Sequence, residues 1–394
     1  MHIGIPACRE HLWLPSTLAG LSRQRDLNFC LWIFVNQPRG SLQDPAHRST
    51  LEDNQATLKW LDSNQSHFPF PVKILNGLAP EDHVQGGAGQ ARRTLFDQIA
   101  AQAQPEDICV SLDADTATDP DYTQALKESF RGHPSALGCI VPYYHHLPAD
   151  PEQAVRILRY ELYMRHFQLS LAWADSPFAF TALGSAMAFR VKGYLKAGGF
   201  PRRPAGEDFY FLQQLVKCGE VIRQLPVKVY PSPRISDRVP FGTGPVMGLS
   251  LSDQAQRFPF FSQSAFAAIK ETLSRFPELY DREVALPIDE FLETRLKGRE
   301  TFKKIRRNYR SRSLFVRACH GFFDGLRSLQ FLRWFHRDRP TNPQHELQSL
   351  GERLSLKIPA VRFGPDQVPV LNNIRDQLAE AQRGSPGDRD ESTM

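Results

Sequence analysis

DICVSLDADTATDPDY, residues 107–122, is the stretch on which the reading of the fold turns. Ile108, Cys109, Val110 and Leu112 form a short apolar run, the pattern of a strand covered on both faces in a parallel sheet. The run stops at Asp113-Ala114-Asp115. With a strand period of two, both aspartates are expected on one face at the carboxyl end of that strand. Open α/β sheets bind ligands at that end. Neighbouring carboxylates repel unless a cation or hydrogen-bond donors lie between them, and hard oxygen donors suit Mg2+ or Mn2+ shared with a phosphate. A plain strand-to-turn junction is the competing reading of the same residues.

Upstream, HIGIPA reads as a strand, LPSTLAGLSRQ as a helix and NFCLWIFVNQ as a second buried strand. A helix around LEDNQATLKWLDSNQ and a third strand, FPVKILNGL, complete a β-α-β-α-β order. That order favours a parallel, helix-covered sheet with right-handed crossovers. In QGGAGQARR, Gly86, Gly87 and Gly89 are expected to form a loop that approaches a ligand, ahead of a helix carrying Arg92 and Arg93. An ordinary flexible connection fits the same glycines.

Downstream, ALGCIVPYYHH reads as a fifth strand and PEQAVRILRYELYMRHFQLSLAW as a long amphipathic helix. His145 and His146 have no further His or Cys at zinc spacing, so a surface or satisfied pair is the favoured reading. SAMAFR is a strand preceded by Gly184-Ser185, small residues that let a substrate approach the backbone. GEDFYFLQQLVKCG places Glu207 and Asp208 in the first turn of a helix, where acids also simply complement the helix dipole. VIRQLPVKVYPSPR reads as two short strands.

Composition bounds the class. The 394 residues suffice for one large or two ordinary domains, and a 41% hydrophobic, 23% charged chain is of the soluble globular type. Six scattered cysteines without a CxxC pair argue against a zinc site or a disulfide framework and fit a reducing cytoplasm. No secretory signal is read at the N-terminus, and Leu169–Val191 is interrupted by Asp175, Pro177 and Gly184, which speaks against a membrane helix.

Several of these blocks, in order, resemble the family-2-type GT-A glycosyltransferases of the nucleotide-diphospho-sugar transferase superfamily. IPACRE is similar to the family's opening strand-turn, GGAGQARR to its Ala-Arg-Asn segment and LDADT to its DxD signature. LGSAMAFR, GGF and GEDF resemble its acceptor-side strand and ED motif, so the likeness spans about residues 2–240. The resemblance implies a GT-A fold: a Rossmann-like, mostly parallel sheet covered by helices. It implies that Pro6, Ala7 and Glu10 line the nucleotide pocket, that Arg92 helps hold the nucleotide or its phosphates, and that Asp113 faces the nucleotide sugar. Asp115, with Asp113, would bind Mg2+ or Mn2+ bridging the diphosphate. Gly184 and Ser185 would border donor sugar and acceptor, Asp208 would be the general base and Glu207 would orient the acceptor. Four positions depart from the pattern. Arg9 and Arg93 replace asparagines, Asn36-Gln37 stands where many relatives carry a base-reading aspartate, and VYPSPR offers Tyr230, Ser232 and Arg234 in place of a late histidine ligand.

The expected domains are 1–240 for the GT-A part, 241–383 for a helical C-terminal extension and 384–394 for a disordered tail. FGTGPVMG reads either as a loop closing over the donor or as a linker. PIDEFLETRLKGRETFKKIRRNY and SLFVRACHGFFDGLRSLQFLRWFHR read as basic amphipathic helices. Packing on their own domain with a solvated basic face is the favoured reading; peripheral contact with the inner face of a membrane comes next, and nucleic acid last. The expected activity is metal-dependent, inverting transfer of a sugar from a UDP- or GDP-linked donor to a hydroxyl on a glycan or lipid-linked acceptor, as in surface polysaccharide or glycolipid assembly. A nucleotidyltransferase is the alternative, but PACREHLWLP lacks the phosphate-gripping glycine pattern it needs. A non-catalytic nucleic-acid-binding protein leaves the paired carboxylates without a purpose.

Overall fold

The computed structural model describes residues 1–40, 43–85, 87–296, 298 and 300–384. The chain begins with β1 (His2–Ala7), α1 (Leu14–Leu21), β2 (Cys30–Asn36), α2 (Pro45–Asn64), β3 (Val72–Gly77), α3 (Gly87–Ala100) and β4 (Ile108–Ser111). It continues through β5 (Ala117–Thr118), α4 (Tyr122–Gly132), β6 (Gly138–Ile140) and the long α5 (Pro151–Trp173). Then come β7 (Met187–Arg190), α6 (Val191–Lys196), α7 (Glu207–Cys218), β8 (Val221–Ile222), β9 (Val229–Tyr230) and α8 (Thr243–Met247). Contacts divide the chain into two compact units, residues 1–147 with 182–248, and 148–181 with 249 onward. The sequence places one boundary between 240 and 241. In the structure the first unit is discontinuous, because the segment carrying α5 packs with the C-terminal helices.

The first unit is built on a seven-stranded sheet in the order β3-β2-β1-β4-β7-β6-β8. Strands β1 to β4 are mutually parallel, as the β-α-β-α-β pattern requires, and β6 is parallel to β8. β7 runs antiparallel to both neighbours, β4 and β6. Ser111, the last residue of β4, therefore pairs with Met187, the first of β7. This register brings the Gly184-Ser185 approach to β7 to the carboxyl end of β4. The chain steps outward from β1 to β2 and β3, then returns on the other side of β1 as β4. That reversal puts the switch point between β1 and β4.

Helix α3 lies close against the sheet. A Cβ on Gly4 would stand 2.7 Å from Cζ of Phe96, so only glycine admits that ring. Phe96 in turn meets Phe189, Tyr194 and Phe200 at ring-centroid distances of 5.1, 6.2 and 5.5 Å. The expected glycine loop before α3 is instead the start of the helix, which includes Gly87 and Gly89; Gly86 lies outside the described residues. FGTGPVMG likewise ends in a short helix, α8.

The second unit is helical. To α5 it adds α9 (Leu251–Arg257), α10 (Gln263–Ser274), α11 (Glu278–Asp281), α12 (Asp289–Arg295), α13 (Glu300–Asn308), α14 (Arg312–Phe322), α15 (Gly325–Phe335), α16 (Pro343–Arg353) and α17 (Val368–Gly384). Both long helices read from the sequence are broken in two. α12 and α13 are separate, and Lys297 and Arg299 between them lie outside the described residues. Asp324 separates α14 from α15 by accepting the backbone N–H of Arg327 at 3.1 Å, an N-cap that starts a new helix. Phe261, Phe266, Phe276, Phe291, Phe315 and Phe331 form the core. Within it, Glu161 of α5 is fully buried and accepts from Arg165 at 3.1 Å and from Arg375 of α17 at 3.4 Å. Among the described residues no helix is long and apolar enough to cross a membrane. Of the expected tail, Gly384 closes α17 and residues 385–394 lie outside the described part.

Candidate functional site

Every candidate site residue read from the sequence belongs to the first unit. The two aspartates do not share a strand face, as the period-two argument has it. β4 ends at Ser111, so both sit in the turn that follows, and they diverge to different arginines. Two clusters result.

Arg92 of α3 anchors the first. Its guanidinium is buried and donates in three directions: Nε to Glu207 Oε1 at 2.8 Å, Nη1 to Ser111 Oγ at 2.9 Å and Nη2 to Asp113 Oδ1 at 2.6 Å. Ser111 Oγ passes the chain on, donating to the Gly184 carbonyl at 2.7 Å. Gly184 is required here because a Cβ at that position would collide with the Arg92 guanidinium. One side chain thus ties the turn after β4, the approach to β7 and the start of α7 into a single unit. The flanking acids hold Arg92 firmly protonated despite its burial. Each nitrogen of Arg92 donates to a protein acceptor, so the structure gives it a bracing role that the resemblance does not name. Glu207, 4% exposed, likewise faces Arg92 rather than an acceptor.

Asp208 follows Glu207 but is only half-buried, and its Oδ1 accepts its neighbour Phe209's backbone N–H at 2.7 Å. Burial, and then the negative charge of Glu207, push its carboxyl up to about 7; Arg92 pulls the other way and Asp113 adds a smaller upward push. Asp208 and Asp113 therefore sense one another, and the DxD turn and ED helix meet in one place. Gly206, the residue before α7, has φ +75°, a left-handed turn that suits glycine and admits the helix at this angle.

Arg234, beyond β9, anchors the second cluster. Its Nε donates to Asp115 Oδ2 at 2.6 Å, and its Nη2 donates to Glu10 Oε1 and Oε2 at 2.8 and 2.7 Å. Arg238 also pairs with Glu10 and donates to the Cys8 carbonyl at 2.8 Å. The Trp13 ring lies over the Arg234 guanidinium, 4.9 Å from its centroid. Burial, with Asp113 nearby, raises the Asp115 carboxyl above the usual range, and Arg234 opposes that shift. The short β5–β9 ladder presents this arginine, and Asp119 fastens it by accepting from Tyr230 Oη at 2.8 Å and the Lys228 N–H at 2.9 Å.

Other expectations fall at the edges of these clusters. Pro6 and Ala7 end β1 beside them, and Ser185 is buried. Asn36 and Gln37 are buried in structural roles, Asn36 donating to the Ala7 carbonyl at 2.9 Å and Gln37 accepting from Asn54 at 2.8 Å. They do not present themselves to a base. His145 is buried against Tyr143, and His146 stacks on Tyr230 at 4.7 Å.

The donor set does not fit the expected Mg2+ or Mn2+. Asp115 and Glu10 are already paired with Arg234 and Arg238, and Asp113 shares Arg92 with Glu207. Among the described residues no group of three His, Cys, Asp or Glu is gathered to hold a metal ion. Arg234 was legible only as the residue standing where a histidine was expected; Ser111, Trp13 and Arg238 carried no signal of their own.

No family model and no curated protein matches the chain. Among solved structures, residues 1–349 of S. aureus TarS in complex with UDP-GlcNAc match at 12% identity and a TM-score of 0.42, over 97% of this chain and 89% of that one. The mannosyltransferase PcManGT from Pyrobaculum calidifontis, in complex with GDP-Man and Mn2+, matches at 13% identity and a TM-score of 0.40, over 97% and 86%. What the site can do is read from its own geometry.

Proposed function

We propose that the chain is a glycosyltransferase of the GT-A type. It would move a sugar from a UDP- or GDP-linked donor to a hydroxyl acceptor, on a glycan or a lipid-linked one, with inversion in a single displacement. The observation that carries this reading is Arg92, which joins the acidic turn at the sheet's switch point to the helix that begins Glu207-Asp208. A carboxyl raised toward neutrality beside the turn at the carboxyl end of β4 is the arrangement a displacement needs.

In the reaction, the acceptor oxygen attacks the anomeric carbon as Asp208 takes its proton. The bond from that carbon to the diphosphate oxygen breaks, and its electron pair leaves with the diphosphate. A carboxylate titrating near 7 is a suitable base at neutral pH, and such a base contributes on the order of 100- to 10,000-fold. Glu207 and Arg92 position α7 against the turn. Asp113 is expected beside the donor sugar, and Pro6 and Ala7 beside the nucleotide. Six unpaired thiols accord with a reducing cytoplasm, and the basic face of α13 with contact at the inner surface of a membrane.

Release of nucleoside diphosphate from UDP- and GDP-sugars, assayed with a panel of hydroxyl acceptors, tests the proposal. Acceptor-dependent release that falls at least about 100-fold in Asp208→Asn, with donor binding kept, is expected. Undiminished transfer by that variant refutes the assignment.

A further inference from the structure

We propose that Arg234 supplies the N–H donors that receive the donor's diphosphate, so that nucleoside diphosphate binds this chain without a divalent ion. This rests on the donor reading given above.

Glu10 and Asp115 are two buried or nearly buried carboxylates that would hold a cation if they were free. They are not free: Arg234 engages both and Arg238 engages Glu10, leaving the cluster neutral. A divalent ion entering here would have to displace a guanidinium held by three hydrogen bonds. The carboxylates serve instead to orient that guanidinium, and Trp13 covers one of its faces.

A guanidinium has five N–H donors in a fixed plane. Nε and Nη2 account for three of them, so the two on Nη1 are without a hydrogen bond among the described residues. Two N–H groups that diverge in plane from one nitrogen can each reach a different phosphate oxygen, and a diphosphate presents several. The position is also right. Asp115 follows β4 and Glu10 follows β1, the two strands that flank the switch point, where α/β sheets take their ligands. Arg92 is the poorer candidate: it is more deeply buried than Arg234, and its two remaining N–H groups lie on separate nitrogens that each already donate within the protein, so it offers no wholly uncommitted nitrogen.

Isothermal titration of the full chain with UDP and with GDP, in EDTA and separately in Mn2+, tests this. For the wild-type protein the dissociation constant of the nucleotide that binds is expected to agree within about threefold in the two media. Arg234→Ala should weaken binding in EDTA by roughly 10- to 100-fold, as loss of charged hydrogen bonds predicts. Mn2+ should then restore binding to that variant, because Glu10 and Asp115 lose one partner. Arg234→Lys, which keeps the charge without the planar fork, should fall between. Wild-type binding that requires Mn2+ and is abolished by EDTA overturns the Arg234 assignment while leaving the donor reading intact. Absence of binding in either medium overturns both. Should Arg234→Ala fail to fold, the wild-type comparison still decides.

Discussion

Arg92→Met is the perturbation whose size the structure fixes best. Arg92 is buried, and removing it strands Glu207, whose side chain is 5% exposed, without its counter-charge. Removing one partner of a buried pair costs roughly 3–5 kcal/mol. Asp113 is 36% exposed, so its pair with Arg92 adds at most about 1 kcal/mol. The hydrogen bond to Ser111 is worth about another 1 kcal/mol. Because these terms share one side chain they do not sum in full, and a loss of roughly 3–5 kcal/mol is expected. For a domain of this size each kcal/mol lowers the midpoint by about 2–4 °C, hence a fall of about 6–20 °C. Urea and thermal unfolding by circular dichroism measure it. The double variant Arg92→Met/Glu207→Gln removes the stranded charge and should recover at least half the loss. A single-variant loss below about 1 kcal/mol, or a double variant no better than the single, refutes the claim that Arg92 is what binds the acidic turn to α7.

Further expectations follow from the same contacts. Donor-dependent transfer should rise with pH through about 7 and level off above it, as Asp208 loses its proton, and the rising limb should vanish in Asp208→Asn; a profile flat from pH 5 to 8 contradicts this. The folded state keeps that proton up to about 7 while the unfolded chain releases it near 3.8, so stability due to Asp208 declines as pH rises between those values, and pH-dependent urea midpoints of Asp208→Asn should lack that decline. In the helical unit, Arg375→Met removes one of the arginines that Glu161 accepts from and should lower the unfolding midpoint of that unit by the equivalent of about 1–3 kcal/mol; an unchanged midpoint rules out the buried triad as a stabilising contact between α5 and α17.

The elements that follow from local pattern were legible in the chain. β1 to β4 and the helices between them declare themselves through apolar runs and turn residues, and their order dictates parallel pairing and a switch point beside β1. The resemblance of their motifs in sequence order put Asp113, Asp115 and Glu207-Asp208 in one site; the fold joins Asp113 to Glu207 through Arg92 and turns Asp115 to Arg234. Local pattern does not reveal the partner of a charge. Asp115 meets an arginine 119 residues away and Glu10 meets the same arginine at a separation of 224, pairings that only the finished fold creates. Extending the strand through Asp115 put both aspartates on one face, whereas hydrogen bonding to β7 stops at Ser111 and frees them to diverge. The antiparallel sense of β7 was equally hidden, since a four-residue apolar run reads the same in either direction. In the C-terminal region, periodicity ran straight through Asp324, where a side-chain cap starts a new helix.

The discontinuity of the first unit has a consequence for how the chain matures on the ribosome. Helix α5 emerges early, yet its buried partner α17 begins only at Val368. At about 5–20 residues per second, some 10–40 s of synthesis separate the two. Until the interval ends, the set of C-terminal helices that packs with α5 is incomplete, and Leu158, Leu162, Leu169 and Leu171, which the finished fold seals from water, are only partly covered. Nascent chains of this protein should accordingly be held by chaperones and be cut by proteases near residues 151–173 until the last helix is made.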